Sequence, residues 1–209
     1  MSMDQLVAQL RADLSNRVEP TLLFPDAPPP VQVIDCVLSL RRRYKEFVVP
    51  RVTQFIREQP QIDTCGKLSQ LIRSKPTPLA FLSTVLRFNS PDRSEALLGV
   101  VEWLDRIQHN YSAPTERARL EEWAKSAKPQ DYLTVRVKNF GIAGFQYLRM
   151  RFGADTVKPD VHINRYVGAA MGRTVDEMEA IRLLEEAARI AGVPARRIDG
   201  MVWEKQAGW

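Results

Sequence analysis

The sequence predicts an all-α protein. Apolar residues recur at three- and four-residue spacing through nearly every segment, no stretch alternates apolar and polar residues at period two, and no hairpin signal joins paired runs. Its 209 residues, 44% hydrophobic and 26% charged, suit one sizeable core or two small lobes sharing a cleft, and are too apolar for a disordered chain.

The elements follow in order. Residues 3–15 put Leu6, Val7, Leu10 and Leu14 on one face, with Ser2 as cap. EPTLLFPDAPPP, residues 19–30, reads as a proline-rich loop. VQVIDCVLSLRRRYKEFV reads as one strongly apolar helix with a basic end. Pro50 opens a helix with Val52, Phe55 and Ile56 inward, and Thr64 caps a short helix through Ile72. SKPTPLAFLSTVLRF is a loop feeding a helix. Ser90-Pro91 starts the next, with Leu97, Val100, Val101, Leu104 and Ile107 on its face. PTERARLEEWAKSAK turns Leu120, Trp123 and Ala127 inward, and Pro129 starts another helix. Thr174 to Glu177 reads as a capping box opening a helix to Ala191, and Pro194 starts the last, with Ile198, Met201 and Val202 inward.

The formal net charge of +5 suits an anionic partner, and nucleic acid outranks membrane because no lipidation motif or basic amphipathic anchor stands out. No apolar run approaches the roughly 18 residues of a membrane span. MSMDQLVAQLRADL carries charges throughout and lacks a leader's apolar stretch, so the expected location is intracellular and cytoplasmic. Cys36 and Cys65 are the only cysteines, too few for a four-cysteine zinc or iron–sulfur site, and Cys36 reads as a buried helix residue.

The region YLTVRVKNFGIAGFQYLRMRFGADTVKPDVHINRYV runs helix, glycine turn, helix ending at Gly153, loop, Asp160, helix. This order resembles the helix-hairpin-helix DNA glycosylase superfamily of the endonuclease III and MutY-like fold. FGIAG echoes the hairpin turn, and KPDVHINRYV echoes the family's V-D-T-H-x-x-R-V stretch. VIDCVLSLRRRY resembles the first core helix, VLRFNSPDRSEALLGVVEWL the helix beginning G-x-Y-N-x-K-A, and RRIDGMVWEKQAG the closing helix with its apolar-Trp step. The resemblance spans about residues 31–207. It implies a two-lobed helical bundle over residues 31–209, with residues 1–30 as a helix and loop packed on it.

The resemblance also implies a function in base excision repair. Hairpin amides would face a DNA phosphate, and a base would flip into a cleft between the lobes. Asp160 matches the family's carboxylate, which stabilises positive charge developing on the sugar and orients water. Lys138, Asn139, Gly141, Ala143 and Gly144 form the hairpin region; Arg41, Arg42 and Arg43 would assist on the DNA backbone, and Lys158 and His162 flank Asp160. The expected partner is double-stranded DNA, met by a monomer that is nucleoid-associated if it binds DNA, with no metal or other cofactor.

The family's pattern is broken in four places. With Gly141-Ile142-Ala143 as the turn, Ala143 replaces the second glycine, and the lyase lysine falls at Phe145, which disfavours a β-lyase. The spacing from Gly141 to Asp160 is shorter than the family's by roughly one 3.6-residue turn. Either the second helix is a turn shorter, or the true turn is Lys138-Asn139-Phe140 and has lost its glycines. No cysteine follows Cys65, so the family's iron–sulfur cluster is not expected.

Bland readings stand beside these. Asp160 after a proline is a good N-cap, a role compatible with catalysis at a helix start. His162 suits helix packing, Arg165 an ion pair with a neighbouring helix, and Tyr44 either core packing or base stacking. Phe145, Tyr147 and Trp103 read as core; Gln146 and Asn89 are candidate pocket groups. Three functions follow: a monofunctional N-glycosylase using Asp160, a non-catalytic DNA-binding relative, and an all-α protein-interaction module.

Overall fold

The computed structural model describes residues 2–15, 23–40 and 42–207. These form α1 (Met3–Leu14), α2 (Pro29–Ser39), α3 (Val49–Glu58), α4 (Cys65–Arg73), α5 (Pro78–Val85), α6 (Pro91–Ile107), α7 (Glu116–Ser126), α8 (Tyr132–Val135), α9 (Ile142–Arg151), α10 (Val161–Met171), α11 (Glu177–Ala191) and α12 (Ala195–Ala207). There is no strand among the described residues, so the all-α expectation holds.

The apolar faces collect into two hydrophobic cores. The first joins α2 to α9 and includes Val33, Val37, Phe55, Phe81, Leu97 and Phe145. At its centre Trp123 packs edge-on against Trp103, Phe145 and Phe152, with ring centroids 5.2, 5.8 and 6.2 Å away. Such pairs add about 0.5–1.5 kcal/mol each beyond area burial. The second core joins α10, α11 and α12 and also takes Leu6, Val7 and Leu10 of α1. Residues 23–28 belong instead to the first core's side, where the Arg117 guanidinium holds the Pro25 and Ala27 carbonyls at 2.8 and 3.0 Å. The described residues before α2 are thus divided between the two cores, α1 with the second and 23–28 with the first.

Local rules account for most helix ends. Thr64 Oγ1 accepts from the Lys67 amide, and Asp160 caps α10. Gly153, at φ +86°, ends α9 with the Ala154 amide bonded to the Arg149 carbonyl, a left-handed stop that favours glycine. Two expectations need correction. The capping residue of α11 is Asp176, whose Oδ1 accepts from the Glu179 amide at 2.8 Å. Thr174 lies outside the helix, because buried Val175 belongs to the second core and the helical turn starts after it. The helix expected over residues 31–48 stops at Ser39; Leu40 and Arg43 are extended, and the chain re-coils as a π turn over Tyr44–Val48. Ile56 lies at the edge of the α3 apolar face, 37% exposed.

That break has a physical cause in the interior. Asp35 is fully buried in the middle of α2. It accepts hydrogen bonds from the Tyr44 and Tyr147 hydroxyls, the latter at 2.9 Å, and lies 3.9 Å from the fully buried Arg151 guanidinium. An unbroken helix would carry Tyr44 along the axis, away from Asp35 nine residues earlier. Arg151 also donates to Gln32 Oε1 at 2.6 Å and to the Leu23 carbonyl at 2.9 Å, and Gln32 in turn donates to the Phe24 and Ala27 carbonyls. Removing one member of a buried pair strands the other charge. Arg151→Met should therefore lower stability by about 3–5 kcal/mol in urea unfolding, while Tyr44→Phe, which removes one hydroxyl, should cost about 1–2 kcal/mol.

Candidate functional site

A cleft of about 1880 Å³ runs between the two cores. One wall is the break after α2, from Ser39 to Glu46, with Ser90 to Arg93 at the start of α6. The other is the start of α10, from Lys158 to His162, with Asn164, Thr174 to Glu177 and Trp203. Asn139 and the first turn of α9, Gly141 to Gly144, close one end.

The turn before α9 settles the two alternatives left by the sequence. The Phe140 amide bonds to the Val137 carbonyl at 3.2 Å, and Asn139 is left-handed at φ +63°. Ile142 and Ala143 already lie inside α9, so the turn is Lys138-Asn139-Phe140. Asparagine tolerates the left-handed region where a glycine would otherwise be expected. Two apolar side chains pin the turn. A Cβ on Gly99 of α6 would meet Val137 at 2.9 Å, and a Cβ on Gly144 would meet the Phe140 ring at 2.8 Å. Lys138 and Asn139 remain exposed at the tip. Gly144→Ala should therefore lose about 1–3 kcal/mol to overpacking, against a helix-propensity gain of about 1 kcal/mol, read by thermal unfolding.

Gly144 is itself buried, and its carbonyl accepts the Cys36 thiol at 3.3 Å. Burial pushes that thiol up to about 12, so Cys36 is an inert core residue. Phe145 is fully buried in the aromatic cluster. Gln146 is fully buried too, bonded to Thr156 and Arg149, and Asn89 is exposed beside the cleft-lining Ser90 without lining the cleft itself.

Asp160 stands at the cleft as the N-cap of α10. Its Oδ1 accepts the His162 and Ile163 amides at 2.9 and 3.2 Å, and its Oδ2 makes no hydrogen bond among the described residues. The cap therefore engages one oxygen of the carboxylate and leaves the other open among the described residues. The segment before it has little slack. Asp155 Oδ1 takes the Arg196 amide of α12 at 3.1 Å, and Thr156 Oγ1 donates to Glu185 of α11 at 2.6 Å. Val157 is fully buried, and the Lys158 amide donates to Asp199 Oδ1 of α12 at 2.7 Å. The Asp160 amide then closes on the Lys158 carbonyl at 2.7 Å.

Several cations line the same cleft as this carboxylate. Arg42 and Arg43 line the cleft and are exposed, with the Arg42 guanidinium 5.2 Å from both the Phe47 and Phe88 rings. Arg41 lies outside the described residues. Lys158 sits with its ammonium 4.6 Å over the Tyr147 ring. Lys138 is not among the lining residues. His162 is half-buried on the wall with its Nδ1 enclosed and unpaired among the described residues, and Arg165 is exposed with no ion pair among them. Lys45, which continues the basic run of Arg41 to Arg43 in the sequence, also lines the cleft; the sequence reading missed Arg93, which lines it too, and Asp199 behind it. Tyr44 is half-buried in the wall, its ring edge-on to Trp203 at 6.2 Å, so it serves packing and cleft surface together.

Burial pushes the Asp199 carboxyl up to about 7; the Lys158 amide pulls it down, the nearby Asp160 charge pushes it up, and the Lys158 ammonium pulls it down. In the unfolded chain the group ionises near its ordinary 3.8. The folded protein therefore holds a proton that the unfolded chain has lost, and stability falls as pH rises between those two values. Asp199→Asn keeps the acceptor for Lys158. It should match wild type near pH 4 and exceed it by about 1–3 kcal/mol at pH 8 in urea unfolding.

The chain belongs to a protein family: the family described as a domain of unknown function, DUF8548, matches residues 2–207. Comparison with curated proteins and with solved structures returned no match. No helix among the described residues is long and apolar enough to cross a membrane.

Proposed function

We propose that the cleft binds double-stranded DNA and hydrolyses the N-glycosidic bond of a damaged or mispaired base, in the manner of a helix-hairpin-helix glycosylase. The observation that carries this is the convergence on one cleft of a carboxylate at a helix start, an uncapped helix N-terminus and several cations. The first amides of α9 and the exposed Lys138 and Asn139 suit a phosphate, since helix N-termini attract anions. Arg42, Arg43 and Lys45 supply sequence-independent attraction to the backbone.

Asp160 is the catalytic carboxylate in this reading. Its Oδ2 faces the positive charge that develops at the sugar as the bond to the base breaks, and orients the water that adds to C1′. The electron pair of the broken bond leaves with the base, which takes up a proton, and water's oxygen forms the new bond. Strand cleavage is not part of the proposal, because the position matched to the lyase lysine is the buried Phe145. A second reading, a DNA-binding relative without catalysis, is favoured by the Asp160 oxygen already committed to two helix amides.

Duplexes carrying uracil, alkylated purines, 8-oxoguanine or a G·T mismatch test this with hot-alkali readout of abasic sites. Wild type should release one of these bases, and Asp160→Asn, which preserves the helix cap, should lose about 100-fold or more in rate while still binding DNA. Equal DNA binding by both proteins with no base released from any duplex would select the non-catalytic reading.

A further inference from the structure

Asp160 owes its place to a residue the sequence comparison did not single out. The peptide group of Lys158 is held from both sides. Its N–H is taken by Asp199 of α12 at 2.7 Å, and its carbonyl takes the Asp160 amide at 2.7 Å. A second bond runs in the opposite sense, from the Arg196 amide of α12 to Asp155 at 3.1 Å. The first turn of α12 and the segment carrying Asp160 therefore exchange one carboxylate each. Amide bonds to carboxylates are among the stronger hydrogen bonds a backbone makes.

The charges around Asp199 are few. Asp160 and Lys158 act on it directly. On the other elements packed against α12, Asp13 of α1 is engaged by Lys205 and by the Tyr166 hydroxyl of α10, and Glu185 of α11 by Thr156. The Lys158 ammonium is shared with the Tyr147 ring. Asp199 thus lies half-buried near a second carboxylate, with the Lys158 ammonium as the cation acting on it directly.

We infer that Asp199 is a positioning residue for Asp160, clamping from α12 the turn that carries it and setting the site's negative charge by holding or releasing one proton. The inference rests on the reading of Asp160 as the working carboxylate of the cleft. With the proton in place, Asp160 is the only full negative charge on this turn. With the proton released, a second negative charge lies near Asp160, and the cleft becomes more repulsive to phosphate. Desolvation of the half-buried Asp199 carboxyl, with the Asp160 charge nearby, puts this change near neutral pH. Pairs of titratable groups pushed apart by their surroundings are how one site holds a charged and a neutral acid together.

Carbon-13 titration of the side-chain carboxyls of the full chain tests this from about pH 3 to pH 9. In wild type the Asp199 carboxyl should ionise near pH 7, and the Asp160 carboxyl signal should register that change as a step at the same pH. The step should vanish in Asp199→Asn, in which the Lys158 amide stays protected from exchange because the asparagine carbonyl still accepts it. In Asp199→Ala the Lys158 amide should exchange about ten times faster or more. Asp199 ionising near pH 4, or an Asp160 signal with no step near pH 7 in wild type, overturns the inference. So does lost amide protection in Asp199→Ala without that step in wild type, since it reduces Asp199 to a structural clamp. The wild-type titration decides the matter even if a variant fails to fold. Coupled titration with no base release from any duplex would defeat the glycosylase reading and leave the Asp199–Asp160 coupling standing.

Discussion

Every residue of α2 is buried, and one of them is a carboxylate. An ionised group in such a place costs several kcal/mol unless it is fully met, so Asp35 forces its surroundings to come to it. Arg151 approaches from α9, Tyr147 from one turn earlier on the same helix, and Tyr44 from a segment that must leave its helical path to arrive. The same Arg151 ties down residues 23–24, directly and through Gln32. One buried charge thereby fixes the α2–α9 pairing, the loop before α2 and the bend after it. The bend is the first wall of the cleft, so the electrostatics of the interior determine where Arg42, Arg43 and Lys45 stand.

The second wall is built by a different logic. The segment from Asp155 to Asp160 has no helix or strand of its own, yet its polar groups are nearly all spoken for by α11 and α12. Loop residues held this way behave like part of the scaffold, which is what a positioned carboxylate requires. A chain of side-chain bonds from Arg149 through Gln146 and Thr156 to Glu185 links α9 of the first core to α11 of the second. The relative position of the two walls is thus fixed by polar contacts beneath the cleft as well as by apolar packing.

What the sequence made legible was local. Periodicity located nearly every helix, Thr64 and Asp160 announced themselves as caps, and Gly153 as a stop, because the determinants lie within a few residues. The break after Ser39 was hidden, since its cause is a bond between Tyr44 and a buried acid whose compensating cation is more than a hundred residues away. The lone carboxylate inside VQVIDCVLS was a signal that something charged must approach, though not what. Two overlapping cap patterns, Thr174 with Glu177 and Asp176 with Glu179, are equally good on paper; the burial of Val175 separates them. The turn before α9 was ambiguous because asparagine can do a glycine's work there. Asp199 carried no local mark at all, as its partner is an amide forty-one residues earlier.

The division of the N-terminal region between the two cores bears on how the molecule is assembled. Leu6, Val7 and Leu10 of α1 find their neighbours on α10 to α12, while the strap that follows is fastened to the first core. On a growing chain α1 is made before α10 to α12, which pack against its apolar face. Contacts so distant in sequence are slow to close. The first core can form in the meantime and hold the strap, keeping α1 tethered near its eventual seat. The cleft has a single wall until that seat is complete, so a half-synthesised chain would carry the cationic wall without the carboxylate that faces it.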